Sequence, residues 1–262
     1  GMSFAERGEL LTRLSRAIHD KRDELLDLAM VSGGVTRSDA KFDVDGASGT
    51  LAYYGALGKE LGDRRVLLDG DATPLGRAPR WVSQHALLPR RGAAIHINAF
   101  NFPAWGLGEK AACALLAGMP IVVKPATSTA LLTYRLGQVL VESGALPPGV
   151  FTLVCGAPGD LLSHLAPEDC LAFTGGSSTA RTLRALPAVV NDSLRLNVEA
   201  DSLNAAVLGP DAEPSSDITR AFVRSARPSV VSSCRAPCSR TSSGCSPSAW
   251  RRPWSATPSP TA

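Results

Sequence analysis

Residues 96–106 read HINAFNFPAWG, a strand-like alternation that runs into Asn-Phe-Pro and then into a helical apolar run. The alternation of GAAIHINAF before it predicts strand, as does the mixed segment RWVSQHALLPR, so residues Arg80 to Ile97 are expected to be strands. A helix is expected from Phe102 to Ala117. Asn101 therefore sits between a strand end and a helix start, where its side-chain NH2 can donate to an oxygen that gains negative charge. It can equally cap the helix, with Pro103 near the first helical position. Spacing alone favours the cap.

Working outward toward the C-terminus, the pattern becomes regular. The strand PIVVKPA, a helix from Thr129 to Ser143, the strand GVFTLVCG and a helix from Asp160 to Leu165 come first. The strand CLAFTGG, a helix from Ser177 to Ala185, the strands LRLNVEA and NAAVLG, and a helix from Ser216 to Arg224 follow. Short apolar strands alternating with helices predict an α/β fold with a parallel sheet covered on both faces. Ligands of such sheets sit at the carboxyl ends of the strands. Toward the N-terminus, leucines at helical spacing from Phe4 to about Met30 predict two helices stopped by Gly33-Gly34, and Thr36 to about Leu61 predicts a third.

The polar motifs fall at those strand ends. Lys124 follows the apolar IVV, which sets an ammonium at a strand mouth where a phosphate or ribose can meet it; a solvated lysine is the ordinary alternative. GAPGD (Gly156 to Asp160) and FTGGSSTA (Phe173 to Ala180) each join a strand to a helix, where backbone N–H groups favour a phosphate. Neither is G-x-G-x-x-G, and small residues are common in ordinary turns. Glu199 in LNVEADSLN can activate water as a general base, or can be a surface carboxylate. Cys113, Cys155 and Cys170 read as small core residues, and His96 and His164 have no partner pattern.

With 262 residues and 44% hydrophobic content, the chain is long enough to bury a core. No stretch approaches the roughly 18 apolar residues of a membrane helix, and the first residues lack a basic region followed by an apolar block and a small-residue cleavage site, so a cytoplasmic location and no membrane partner are expected. A net charge of +3 with interspersed signs does not point to nucleic acid. The excess comes from one end: after Arg224 there is no Asp, Glu or Lys, and no Leu, Ile, Met, Phe or Tyr. Residues 225–262 are expected to be a disordered, non-native tail beside a domain of residues 1–224. Cys234, Cys238 and Cys245 lie in that tail without a histidine, so no metal site is expected.

Taken in order, FNFPAWG, VVKPA, FTGG and NVEADSLN resemble the aldehyde dehydrogenase superfamily. HINAFNFPAWG, GDLLSHL and EADSLN are most similar to the coenzyme A-linked semialdehyde dehydrogenases of aerobic phenylacetate and benzoate degradation. The resemblance covers about Met2 to Arg224. It implies a parallel Rossmann-like coenzyme-binding domain, with Asn101 holding the oxyanion and Glu199 as the base for hydrolysis. Lys124 would contact the coenzyme, and the turn of Thr174, Gly175, Gly176 and Ser177 would lie against it. It implies an aldehyde substrate, coenzyme A-linked, and a homo-oligomeric parent. Thr127 stands where many NAD-preferring relatives carry a glutamate, so NADP is the expected coenzyme, with NAD as the alternative. Gly176 and Ala180 replace a usual serine and glycine.

The family's chemistry needs a cysteine at about the distance of Cys234 and Cys238 from Glu199, in a stretch like GQKCTAIRR. VSSCRAPCSR does not match, so neither is accepted as the nucleophile. A one-nucleotide shift at the Arg224-Ser225 junction lets the tail be read with a KCTPIRR motif. The chain is therefore expected to be a truncated, frameshifted copy without turnover, with an N-terminal arm also missing. The alternative is a non-catalytic nucleotide-binding fragment or a product without function.

Overall fold

A computed structural model describes residues 1–77, 80–201, 213 and 215–218. Residues Gly1–Ser202 form one compact unit, and the other, Leu203–Ala262, contains the last few described positions. The expected strand NAAVLG and residues 219–224 of the helix expected over 216–224 lie outside the described residues, as does the tail.

Three N-terminal helices come first: α1 (Phe4–Asp20), α2 (Arg22–Gly33) and α3 (Arg37–Leu61). Ser3 and Glu6 start α1 with a reciprocal capping box, Ser3 N donating to Glu6 Oε2 at 2.6 Å and Glu6 N to Ser3 Oγ at 3.2 Å. Leu11, Leu14 and Ile18 recur on one face of α1 and are fully buried. Burial of each such side chain stabilises the fold by about 2 kcal/mol. Close approach of α1 to α3 depends on glycine: a Cβ on Gly8 would lie 2.6 Å from the Gly55 carbonyl oxygen, and one on Gly58 would lie 2.7 Å from the Gly8 Cα. Any side chain there drives the two backbones apart.

An antiparallel pair, β1 (Leu67–Pro74) and β2 (Val82–Leu87), follows, with a register irregularity between Asp69 and Thr73. β1 was not anticipated, because LLDGDATP carries a glycine, two aspartates and a proline and no two-residue alternation. Nearly all of its residues are exposed.

The central sheet contains β3 (Ala94–Ile97), β4 (Ile121–Lys124), β5 (Phe151–Leu153), β6 (Cys170–Gly175) and β7 (Arg195–Ala200), in the order β5-β4-β3-β6-β7. Every neighbouring pair is parallel, as expected. Between them run α4 (Trp105–Leu116), a 3-10 turn (Thr127–Thr129) leading into α5 (Ala130–Glu142), a second 3-10 turn (Leu161–His164), α6 (Ser177–Arg184) and α7 (Pro187–Val190). The GDLLSHL segment thus forms one 3-10 turn rather than the expected helix, too short to propagate between Gly159 at φ 59° and Pro167.

Helices cover both faces of the sheet. Ala94, Ile121 and Val123 pack with Leu107, Ala111, Leu132 and Leu136 on one side. Ile95, Leu171 and Phe173 pack with Ala180, Leu183 and Ala188 on the other. Among the described residues no helix is long and apolar enough to cross a membrane. Two of the cysteines read as core side chains are instead exposed: Cys113 lies on an outward position of α4 and Cys155 just past the short β5, and only Cys170 is partly buried.

Candidate active site

The connection leaving β3 passes through α4 to β4, whereas the one leaving β6 passes through α6 to β7 on the opposite side of the sheet. Adjacent strands whose connections diverge open a crevice beyond their carboxyl ends. Past β3 comes the loop bearing Asn101. At the ends of the neighbouring strands stand Lys124 on β4, Thr174 and Gly175 on β6, and Glu199 on β7. The strand order thus brings to one edge the residues singled out from scattered motifs.

Glu199 and Thr174 face each other in register across β6 and β7, and Thr174 Oγ1 donates to Glu199 Oε2 at 3.2 Å. Lys124 is half-buried, with Nζ donating to its neighbour's carbonyl, Pro125 O, at 3.1 Å. Thr127 is exposed at the start of the first 3-10 turn. Gly176 is the N-cap of α6, and a Cβ added there meets nothing within 4 Å, so the turn leaves open space over the helix N-terminus. Gly175 has less room: its Cβ would approach the Phe173 ring at 2.6 Å. One backbone donor of this turn is already engaged, because Ser177 N donates to Asp201 Oδ1 at 3.2 Å. Asp201 itself stands at φ 59°, held by its N–H on Gly175 O at 3.0 Å. An internal carboxylate thus occupies a position suited to a phosphate.

The cap reading of Asn101 is corrected by the start of α4. The helix begins at Trp105, three residues later than expected, and its N-cap Ala104 has no side chain to offer. Asp43 from the middle of α3 caps it instead: Ala104 N donates to Oδ2 at 3.1 Å and Trp105 N to Oδ1 at 2.7 Å. Its carboxylate is 5% exposed, and its charge suits the positive end of the helix. From α5, Thr129 Oγ1 donates to Phe100 O at 3.1 Å and Thr133 Oγ1 to Pro103 O at 3.0 Å. These three residues gave no signal in the sequence, since Asp43 lies 61 residues from Ala104 and the threonines some 30 beyond the loop.

Beside the loop, the rings of Phe42, Phe102 and Trp105 meet at tilted and edge-on angles, with Phe42 and Trp105 centroids 5.2 Å apart. Phe42, Trp105, Gly46, Ser38, Lys41 and Asp45 line an open cavity of about 340 Å³. On the face toward α4, β3 and the residue just past it present two buried polar side chains. His96 is 3% and Asn98 4% exposed, and His96 Nδ1 and both polar atoms of the Asn98 side chain have no hydrogen-bond partner. Burial, with a smaller contribution from the Lys110 ammonium, lowers the His96 pKa to about 4. The ring is neutral at pH 7. Among the described residues no group of three or more His, Cys, Asp or Glu side chains gathers to hold a metal.

A parallel sheet clad on both faces, with polar side chains at its carboxyl edge, defines a doubly wound α/β domain. The chain belongs to the aldehyde dehydrogenase family, whose pattern matches residues 1–232. Enzymes of this family use NAD(P). The chain is 47% identical over 213 residues to the 3,4-dehydroadipyl-CoA semialdehyde dehydrogenase of Aromatoleum evansii, which covers 81% of this chain and 41% of that protein. It is 29% identical to betaine aldehyde dehydrogenase 2 of Rhizobium meliloti, over 84% of this chain and 43% of the relative. Among solved structures, an E. coli NADP-dependent enzyme superposes with a TM-score of 0.65 at 25% identity, over 77% of this chain and 40% of the other. Betaine aldehyde dehydrogenase from Staphylococcus aureus, solved with NAD+, gives a TM-score of 0.65 at 26% identity, over 77% and 39%. The chain spans about two-fifths of the length of each of these proteins.

Proposed function

We propose that this chain is the coenzyme-binding portion of an aldehyde dehydrogenase whose parent oxidises a coenzyme A-linked semialdehyde, of the kind released by aromatic ring cleavage, to the acid with NADP. The observation that carries this is the assembly of Asn101, Lys124, Thr174 and Glu199 on one edge of the sheet. The 47% identity to a 3,4-dehydroadipyl-CoA semialdehyde dehydrogenase supports the substrate class.

In this scheme the Asn101 amide donates to the aldehyde oxygen as charge develops there. Glu199 takes a proton from the water that completes the reaction, with Thr174 holding one carboxylate oxygen. Lys124 binds a ribose or phosphate oxygen of the coenzyme, and the open space at Gly176 lets the backbone approach it. Thr127 places no carboxylate against a 2'-phosphate, which favours NADP. Bound NADP supplies the hydride acceptor. Among the described residues we assign no nucleophilic thiolate. Cys170 opens β6 at the amino edge of the sheet, Cys113 is on the outside of α4, and Cys155 follows β5, two strands from β3. Cys234 and Cys238 lie outside the described residues in a sequence unlike the family motif. We therefore assign no turnover to this chain.

Titration of the full chain with NADPH, followed by nucleotide fluorescence, tests the proposal. Saturable binding is expected, weakened roughly tenfold by Lys124→Ala through loss of a charged hydrogen bond. A folded chain that does not bind refutes it. NADPH formation with a panel of aldehydes, abolished by Cys234→Ser or Cys238→Ser, would overturn the assignment of no turnover. A second reading, a product without coenzyme affinity, is favoured by one observation, the Asp201 carboxylate on the Ser177 amide.

A further inference from the structure

We propose that Asp43, Thr129 and Thr133 are positioning residues that hold the Asn101 loop from two sides, so that Asn101 is aimed by distant parts of the chain. This rests on the role given to Asn101 above. Four hydrogen bonds converge on residues flanking it: the threonines of the α5 segment take the carbonyls of Phe100 and Pro103, and Asp43 of α3 takes the amides of Ala104 and Trp105. Nothing in the loop's own side chains provides these contacts.

Other helical hydroxyls in the same molecule divide between local bonds and long-range ones such as Ser15 Oγ to Ser48 O at 2.8 Å. A threonine or serine inside a helix commonly bonds back to the carbonyl four residues earlier. Thr12 does so to Gly8 O at 2.9 Å, Ser32 to Leu28 O at 2.8 Å and Thr50 to Gly46 O at 2.8 Å. Thr133, fully buried in α5, reaches out of its helix to Pro103 instead. Thr129 is the N-cap of α5, yet its hydroxyl makes no capping bond and goes to Phe100. Asp43 lies in the interior of α3 and caps α4. Each threonine takes a bond to the loop in place of the local bond its position allows, and the Asp43 carboxylate accepts from the loop's amides. Trp105 adds a steric stop, its indole resting where a Cβ on Gly46 would lie 2.6 Å away and its Nε1 donating to Thr50 Oγ1 at 3.1 Å. An oxyanion donor acts only when it is fixed where the charge will appear, and displacement by about 1 Å weakens it sharply.

Amide hydrogen exchange of the full chain, read peptide by peptide, tests the clamp. Thr133→Val keeps the shape and removes only the hydroxyl; exchange over residues 99–106 should accelerate roughly tenfold, as expected for one lost hydrogen bond, while α1 and β6 keep their protection. Thr133→Ser should restore the loop. Asp43→Asn, which retains one acceptor oxygen, should accelerate the same peptide. Unchanged exchange over 99–106 in both Thr133→Val and Asp43→Asn overturns the proposal, as does a uniform acceleration of all amides, which would mark a role in global stability alone. NADPH titration of the unsubstituted chain is read separately. Failure to bind there counts against the proposed function and leaves the exchange result standing.

Discussion

Replacing His96 with leucine should flatten the acid limb of this protein's stability curve. In the folded chain the imidazole is buried beside Lys110 and its pKa falls from 6.5 to about 4. Between those values the unfolded state binds the proton and the folded state does not, so stability is full above pH 6.5 and declines as pH falls toward 4. At pH 5 an unfolded imidazole is almost entirely protonated and a folded one about nine-tenths neutral, which costs about 2 kcal/mol; the whole span to pH 4 and below approaches about 3 kcal/mol. Chemical denaturation at pH 7.5 and at pH 5, with and without His96→Leu, measures it. Carboxylates elsewhere titrate alike in both proteins, so the difference between the two slopes isolates His96. At pH 7.5 the leucine variant should be at least as stable as the parent, since it removes a buried ring nitrogen that has no partner. Equal loss of stability in both proteins between pH 7.5 and 5 would refute the reasoning. An imidazole that titrates near 6.5 in the folded chain by NMR would do the same.

Two further outcomes follow from the packing and from the coenzyme proposal. Gly8→Ala places a methyl 2.6 Å from the Gly55 carbonyl oxygen and 2.9 Å from the Lys59 amide nitrogen, both backbone atoms, and should destabilise the chain by about 2 kcal/mol or more in urea unfolding. A loss below about 0.5 kcal/mol would mean that α1 and α3 separate easily. Thr127→Glu should lower affinity for NADP more than for NAD, through repulsion between the new carboxylate and the 2'-phosphate. Parallel titrations with the two nucleotides check this, and equal effects on both would remove Thr127 from the coenzyme site.

Much of the domain was legible because its signals are local. Leucines three and four apart predict α1 and α2, and Gly33-Gly34 marks where α2 stops. Short apolar strands between helices predict a parallel sheet, since such strands are buried on both faces. The motifs at Asn101, Lys124, Thr174 and Glu199 stood out for the same reason: each is a polar residue at the end of an apolar run. Where local reasoning went astray, a long-range contact had intervened. Asn101 before Phe-Pro reads as a cap, yet α4 begins later because Asp43 reaches across from α3. Cys113 and Cys155 read as core because cysteine is apolar, but neither faces the interior. β1 had no periodicity to detect.

The sequence by itself determined the order of elements in the parallel sheet and its helices, apart from the GDLLSHL turn, and the identity of the residues at its carboxyl edge, because periodicity and strand-end chemistry are written in neighbouring residues. Only the tertiary structure decided that β3 lies beside β6, which opens the crevice. It alone set Glu199 against Thr174, gave the Ser177 amide to Asp201, and held the Asn101 loop with Asp43, Thr129 and Thr133. Those contacts join residues 24 to 62 positions apart, where hydrogen-bond geometry in the folded chain selects the partner and no local pattern records it.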